Sequence, residues 1–285
     1  MGSHDGLLQG APRLTPDVLP AERCEHHLVV DDASRSAVDL LSELSGLSRS
    51  SIKDAMRKGA VWLGRGRQTQ RLRRAKRALR AGDELHLYFD PSVLSAPVAE
   101  PTLVEDAVCY SVWDKPYGLR SQGSKWGDHC TLVRCAERRL DRTALTVHRL
   151  DRAASGLMLI AHGRRAAAEL SRQFREREVF KQYRVLVHGQ VADSVRTVDT
   201  PLDGKPAVSH VKRLGIAGDE SSLEVRIETG RKHQVRRHLA GIGYPVVGDR
   251  LYGNGDMSQD LQLRAVELGF RHPQTDVDVR YRLED

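Results

Sequence analysis

The sequence predicts an α+β protein in which a small helix-and-strand unit precedes a larger, sheet-rich domain. Three observations point there. Leu223, Val225 and Ile227 alternate with Glu224, Arg226 and Glu228, and Tyr183, Val185 and Val187 share one side of a second run; period two is the pattern of a half-buried strand. Nearer the start, Val38, Leu40, Leu41 and Leu44, then Ile52, Ala55 and Met56, recur at helical spacing. Between these regions, residues 91–104 hold three prolines and read as a linker. With 285 residues, 40% of them hydrophobic, the chain can fill a small core and a large one. The expected division is an arm at 1–33, a module at 34–90, the linker at 91–104 and the main domain at 105–285.

Charge is distributed unevenly. The net charge is +7, from 45 Lys and Arg against 38 Asp and Glu. Residues 1–48 carry 3 basic and 8 acidic residues, whereas residues 49–80 carry 12 basic residues and one acid, Asp54. A bare surface avoids such self-repulsion, so the stretch points to a polyanionic partner, nucleic acid first. The four cysteines form no CxxC pair, which suits free thiols in a reducing cytoplasm. His129, Cys130, Cys135 and His148 do not have the spacing of a zinc set, and no metal is expected. No signal peptide or membrane-spanning run is read, so the expectation is a cytoplasmic monomer that engages no membrane. The opening MGSH resembles a tag remnant.

In order, residues 1–33 read as an extended arm with a short strand near His26 to Val30. Ser36 can cap a first helix that Gly46 stops, and Ser48 a second that Gly59 stops. Arg49, Lys53 and Arg57 recur every four residues and share one side of that second helix, with Lys58 just beyond. A strand at 60–63 leads into GRGRQTQRLRRAKRALR, which adds Arg65, Arg67, Arg71, Arg73 and Arg74 to the candidate nucleic-acid contacts. Gly82-Asp83 turns into a strand in which Leu85, Leu87 and Phe89 alternate with polar residues.

The main domain opens with a strand at 108–113 that runs into Asp114-Lys115-Pro116-Tyr117-Gly118. A mobile loop at 124–128 and a helix at 132–140 follow. Thr146 to Leu150 is a β-type run that breaks at Asp151, a carboxylate flanked by Arg149 and Arg152 and followed by small residues up to Gly156. Small residues there let another molecule approach the backbone. Leu157 to Ala161 is short and apolar enough for a buried strand. Then come a helix at 164–178, the strand FKQYRVLVHG at 180–189, a turn and strand within 196–214, and the strand ending at Ile227. A helix is expected from about Arg231 to Ala240, with Val235 and Leu239 inward. Arg231, Lys232 and His233 in its first turn oppose the helix dipole, which suits a bound phosphate.

HRLD at 148–151, followed by SG and an apolar strand, closely resembles the signature of the RluA-type pseudouridine synthases. Further matches run in the family's order: the strand ending in KPYG, the KQY of residues 181–183, and TGRKHQVRRHLAGIGYPVVGDRLYG at 229–253. Leu261 to Pro273 matches its last strand motif. Ala154 stands where threonine is usual, which removes a supporting hydroxyl, and Arg264 where histidine is usual. SRSSIKDAMRKGAVWL at 48–63 resembles the centre of the αL RNA-binding module first known from a small-subunit ribosomal protein, which many pseudouridine synthases carry. The resemblance implies a pseudouridine-synthase fold with a mixed, largely antiparallel sheet behind that module. It implies Asp151 as the catalytic residue, Arg236 as its ion partner, and Arg149 as a residue holding the site of a flipped nucleotide. Tyr183 would contact the uracil and Leu263 line its pocket. The implied substrate is RNA: large-subunit ribosomal RNA first, transfer RNA second.

The implied chemistry breaks a carbon–nitrogen glycosidic bond, turns the base and joins its carbon five to the sugar. It is redox-neutral and transfers no group to a second molecule, so no cofactor is expected. One ionised carboxylate suffices, as nucleophile or as base, and a neighbouring arginine favours its charged form. A nucleoside hydrolase would need a second carboxylate to activate water, and the HRLD turn offers one. A non-catalytic RNA-binding or assembly protein would use the same basic module but would have no need of Asp151, Tyr183 and Arg236 together. Because the groups expected to act on the base all lie beyond residue 145, the module is expected to govern affinity far more than rate.

Overall fold

The computed structural model describes residues 22–253 and 258–284. The opening MGSH and most of the expected arm lie outside them. The N-terminal unit runs β1 (Cys24–Val29), α1 (Ala37–Ser45), α2 (Arg49–Arg57), β2 (Val61–Arg65), β3 (Gln68–Arg71) and β4 (Glu84–Phe89). Ser36 and Ser48 accept backbone N–H bonds at the two helix starts, and Gly46 closes α1 in the left-handed conformation. The strands form an antiparallel sheet in the order β1-β4-β2-β3. Its inner side buries Leu63, Leu85 and Leu87 against Leu41, Ile52 and Met56 of the helices. β1 lies in the stretch read as an arm and closes the edge of this sheet by pairing with β4. In the stretch read as a linker, α3 (Pro91–Leu94) buries Val93 and Leu94.

The rest of the chain adds β5 (Thr102–Asp106), β6 (Tyr110–Lys115), α4 (Leu132–Leu140), β7 (Leu145–Thr146), β8 (Ser155–Ala161), α5 (Arg164–Glu176) and β9 (Phe180–His188). It continues with β10 (Thr197–Val198), β11 (Ser209–Ala217), β12 (Glu220–Ile227), α6 (Gln234–Gly241), β13 (Leu263–Arg271) and β14 (Asp278–Arg282). One large sheet runs β10-β11-β12-β9-β13-β8-β6-β5, with β14 beside β13 and β7 beside β8. Among the described residues β13–β8 is the parallel pair and the other ladders are antiparallel, so the sheet is mixed and largely antiparallel as expected. The whole is an α+β fold in which a small antiparallel sheet with its helices precedes the large mixed sheet.

The apolar run of β8 is covered on both sides. Leu157 and Leu159 pack with Ala166 and Leu170 of α5, while Met158 and Ile160 pack with Leu132 and Ala136 of α4. Its first residues enter the sheet tightly: at Gly156 φ is +107°, and a Cβ would overlap the backbone of Ala265 on β13. Only glycine meets both conditions.

Three expected elements shift. The first strand of the main domain starts at Tyr110, not Val108, because Val108 takes φ 63° in a turn where its N–H bonds the Asp106 carboxylate. The β-type run before Asp151 is extended only at Leu145–Thr146; His148 instead turns inward and stacks on Phe174. The helix expected from Arg231 begins at Gln234, because His233 is left-handed at φ 55°.

Candidate active site

The Asp151 turn sits between the end of α4 and the start of β8, and it is clasped from outside. Lys115, at the end of β6, is fully buried and points its ammonium into backbone carbonyls: Ala154 at 2.6 Å, Leu119 at 2.9 Å and Pro116 at 3.1 Å. Burial pushes the Lys115 amine down to about 8, with the nearby Asp151 and Asp114 charges working against that. Gly118 N–H bonds the carbonyl of Arg152 at 2.9 Å. Ser121 Oγ donates to Leu150 O at 2.6 Å and accepts from Leu150 N at 3.1 Å. Residues 115–121 thus hold the residues on both sides of Asp151. Ala154 adds no hydroxyl; its carbonyl is the shortest contact of Lys115. His148 Nε2 accepts from the Leu159 N–H at 2.9 Å, and burial beside Phe174, with Lys181 adding to the effect, pushes the ring down to about 3. That histidine is a neutral acceptor that ties the turn to β8.

The second half of the site comes from α6 and the loop after it. Arg236 is 4% exposed and reaches Asp151 Oδ2 with Nη1 at 3.4 Å. Its Nε and Nη2 both bond Asp249, at 2.7 Å each. The expected partner of Asp151 is therefore present, but its fork is held by another carboxylate. Burial pushes Asp249 up; the Arg236 fork and the N–H groups of Leu251 and Tyr252 outweigh that and keep it below the usual carboxylate range. His233 Nε2 stands 3.7 Å from Asp151 Oδ1, while its Nδ1 meets the Tyr252 hydroxyl at 2.9 Å. Burial lowers that imidazole, against the pull of Asp151.

Asp151 stands where two hollows meet. A cleft of about 710 Å³ opens outward between the 117–123 segment, the Asp151 turn and the 248–251 loop. Behind the carboxylate lies a smaller hollow of about 90 Å³ that Tyr183, Ala154 and Leu263 line. Arg149 is exposed and borders both. Burial, and secondarily the Asp151 charge, raise the Tyr183 phenol, which stays protonated. Asp151, Arg236, Tyr183, Arg149 and Leu263 are thus brought together from four separated stretches.

The basic residues singled out from sequence divide into groups. Arg231 borders the small hollow and bonds Pro206 O at 3.0 Å; Lys232 is exposed; both precede α6 and are not in its first turn. Arg49, Lys53, Arg57, Arg67 and Arg74 are exposed, and Lys58 is half-buried in an ion pair with Asp54 at 2.8 Å. Arg65 is forked onto buried Asp83 at 2.7 and 2.6 Å. Arg71 and Arg73 both pair with Asp128 of the main domain. Sequence reading missed Asp249, Tyr252 and the clasp of Lys115. Asp249 is visible only as the acid of GDRLYG, and Lys115 only as the lysine of KPYG.

No group of three His, Cys, Asp or Glu side chains that could hold a metal occurs among the described residues. Among them, no helix is long and apolar enough to cross a membrane.

Comparison with known proteins agrees with this geometry. Residues 109–241 match the RNA pseudouridylate synthase family. An uncharacterized RNA pseudouridine synthase of Chloroflexus aurantiacus is 34% identical over 282 residues, covering 88% of this chain and 87% of that protein. The dual-specificity RNA pseudouridine synthase RluA of Escherichia coli is 36% identical over 200 residues, 62% of this chain and 90% of its own length. The structure of human RNA pseudouridylate synthase domain containing 1 superposes with a TM-score of 0.58 at 26% identity, covering 67% of this chain and 85% of that one. On the strength of relatives at this identity that are matched over most of their length, the chain belongs to the RluA-type RNA pseudouridine synthases and is an isomerase.

Proposed function

We propose that Asp151 is the catalytic carboxylate of a uridine isomerisation in structured RNA, with large-subunit ribosomal RNA as substrate. The observation that carries this reading is the position of Asp151 at the junction of the cleft and the small hollow, facing Arg236 at 3.4 Å. A flipped nucleotide entering from the cleft would bring its sugar to the carboxylate and its base toward Tyr183 and Leu263. Asp151 attacks the sugar or the base, or takes a proton from the sugar; the C1′–N1 bond breaks, the base turns, and C5 joins C1′. The C5 proton leaves and N1 regains one, so the atoms balance within the nucleotide. Arg236 stabilises the carboxylate charge, and its own orientation comes from Asp249. Tyr183 supplies a ring to contact the uracil, Leu263 the apolar wall, and exposed Arg149 a cation at the gap the base leaves.

The N-terminal unit carries the RNA-binding role in this reading, through the exposed cations of α2 and of residues 67–80. A module of this kind in the family favours ribosomal RNA. The dual-specificity name of the Escherichia coli relative makes transfer RNA the second substrate to test. The deciding experiment is isomerisation of ribosomal and transfer RNA by the purified chain without additives, beside Asp151→Asn. Asparagine keeps the shape and removes the charge, so turnover should vanish while RNA binding persists. A variant within about tenfold of the unsubstituted rate, roughly 1.4 kcal/mol of barrier, would sink the assignment.

A further inference from the structure

The segment from Arg120 to Thr131 is a closed loop with two working sides. Its base is tied by Leu132 N–H to Arg120 O at 2.8 Å, and its tip by reciprocal bonds between Ser124 and Gly127 at 3.0 and 3.2 Å. The inner limb, Ser121 to Gly123, lines the cleft, and Ser121 is bonded on both sides to Leu150, the neighbour of Asp151. The outer side lies against the N-terminal unit. Asp128 receives Arg71 Nε at 3.0 Å and the Arg73 guanidinium. Arg71 Nη2 bonds Ser124 O at 2.9 Å, Trp62 Nε1 bonds Lys125 O at 3.1 Å, and Asp128 N–H bonds Lys58 O at 3.0 Å. Trp126 packs edge-on to Tyr88, 5.7 Å between centroids, beneath the Arg23 guanidinium. The fit is close from both sides: a Cβ on Gly59 or on Gly123 would overlap Asp128. The loop expected to be mobile is thus gripped by the unit expected to act at a distance.

We propose that Asp128 is a positioning residue. Anchored by Arg71 and Arg73, it fixes the loop whose inner limb walls the cleft and braces Leu150, so the N-terminal unit sets the geometry around Asp151. The unit is then a part of the active site's outer frame, and RNA that engages it acts on a structure already connected to the reacting turn. Two arginines of the basic stretch serve this frame, and Asp128 offsets one of their two charges. The proposal rests on the isomerase reading for its readout; failure of that reading appears as absent turnover in the unsubstituted chain, whereas failure of this one appears only in the comparison of variants.

The test uses the full chain with Arg73→Ala, Asp128→Ala and the double variant, each in single-turnover assays at saturating RNA. Loss of the anchor should slow the saturated rate of Asp128→Ala about tenfold while shifting its half-saturating RNA concentration less than about threefold. The double variant should be no slower than the slower single one, because both remove the same contact. Arg73→Lys, which keeps a cation beside Asp128, should recover part of the rate. Hydrogen exchange should rise at the amides of residues 122–128 in Arg73→Ala while β8 stays protected. If an alanine variant melts below the assay temperature, the exchange and rate of Arg73→Lys carry the comparison. A wild-type saturated rate, a loss confined to affinity, additive single effects, or unchanged exchange of the loop would each overturn the proposal.

Discussion

Asp249 receives Nε and Nη2 of Arg236 at 2.7 Å each, while a single nitrogen of the same guanidinium faces Asp151 at 3.4 Å. Both side chains of the tighter pair are almost wholly buried. Removing one partner leaves an uncompensated charge, so Asp249→Ala should cost about 3–5 kcal/mol of stability. Arg236→Lys keeps the charge but cannot bond two carboxylates in fixed planes; turnover should fall more than about tenfold. The folded-state value of Asp249 is depressed, so its contribution is complete above about pH 4 and is lost as pH falls through that lowered value. Urea melts at pH 7 and at about pH 2 check this; equal losses in Asp249→Ala at the two pH values would contradict it.

Lys115→Met should damage the turn with little change in side-chain volume. The carbonyls of Ala154, Leu119 and Pro116 lose a shared donor, and each buried carbonyl left without one costs about 1–3 kcal/mol. Because Ala154 closes the Asp151 turn, rate should fall together with stability. Full turnover in a folded Lys115→Met chain would show that the carbonyl clasp is dispensable.

His148 should make the protein acid-sensitive. Its ring is held neutral down to about 3, while the unfolded chain takes up a proton near pH 6.5. Below that value the unfolded state binds more protons, so stability falls with pH, by up to about 1.4 kcal/mol per unit from this group. His148→Gln can still accept the Leu159 N–H and does not titrate. Its melting should depend less on pH between 6.5 and 4 than that of the unsubstituted chain, and parallel profiles would remove His148 as the cause.

The exposed and the paired arginines should separate in salt titrations of RNA binding. Arg67→Ala and Arg74→Ala should each flatten the slope of log affinity against log salt by roughly 0.7–0.9 if each meets one phosphate. Arg65→Ala should leave the slope unchanged, since that guanidinium is already forked onto Asp83. Equal effects at all three positions would mean that RNA displaces the Asp83 pair.

The parts of this structure that were legible in the sequence are those fixed by neighbours. Ser36, Ser48 and Gly46 bound their helices as read, because a cap acts within four residues. The HRLD turn and the buried strand after it were legible for the same reason. Asp249 was not, because a buried carboxylate is recognised by its partner, and Arg236 meets it only after α6 and the following loop pack together. Asp128 reads as an ordinary loop acid, and its partner Arg73 lies 55 residues earlier. Strand order was equally hidden: alternation shows that β9 and β12 have a buried side but not which strand stands beside which.

β13 stands between β8 and β9 in the sheet, although it follows both in the chain.

 The chain runs from Ala161 to Leu263 between β8 and β13, and from His188 to Leu263 between β9 and β13. The Asp151 turn leads into β8, while Arg236 belongs to the half of the sheet that β9 begins. A chain made from its N-terminus can fold each half as it emerges, but the two halves become one sheet only when β13 slides between them. Such long-range pairing closes slowly. Asp151 and Arg236 therefore meet late in biogenesis, long after the basic helix α2 has emerged.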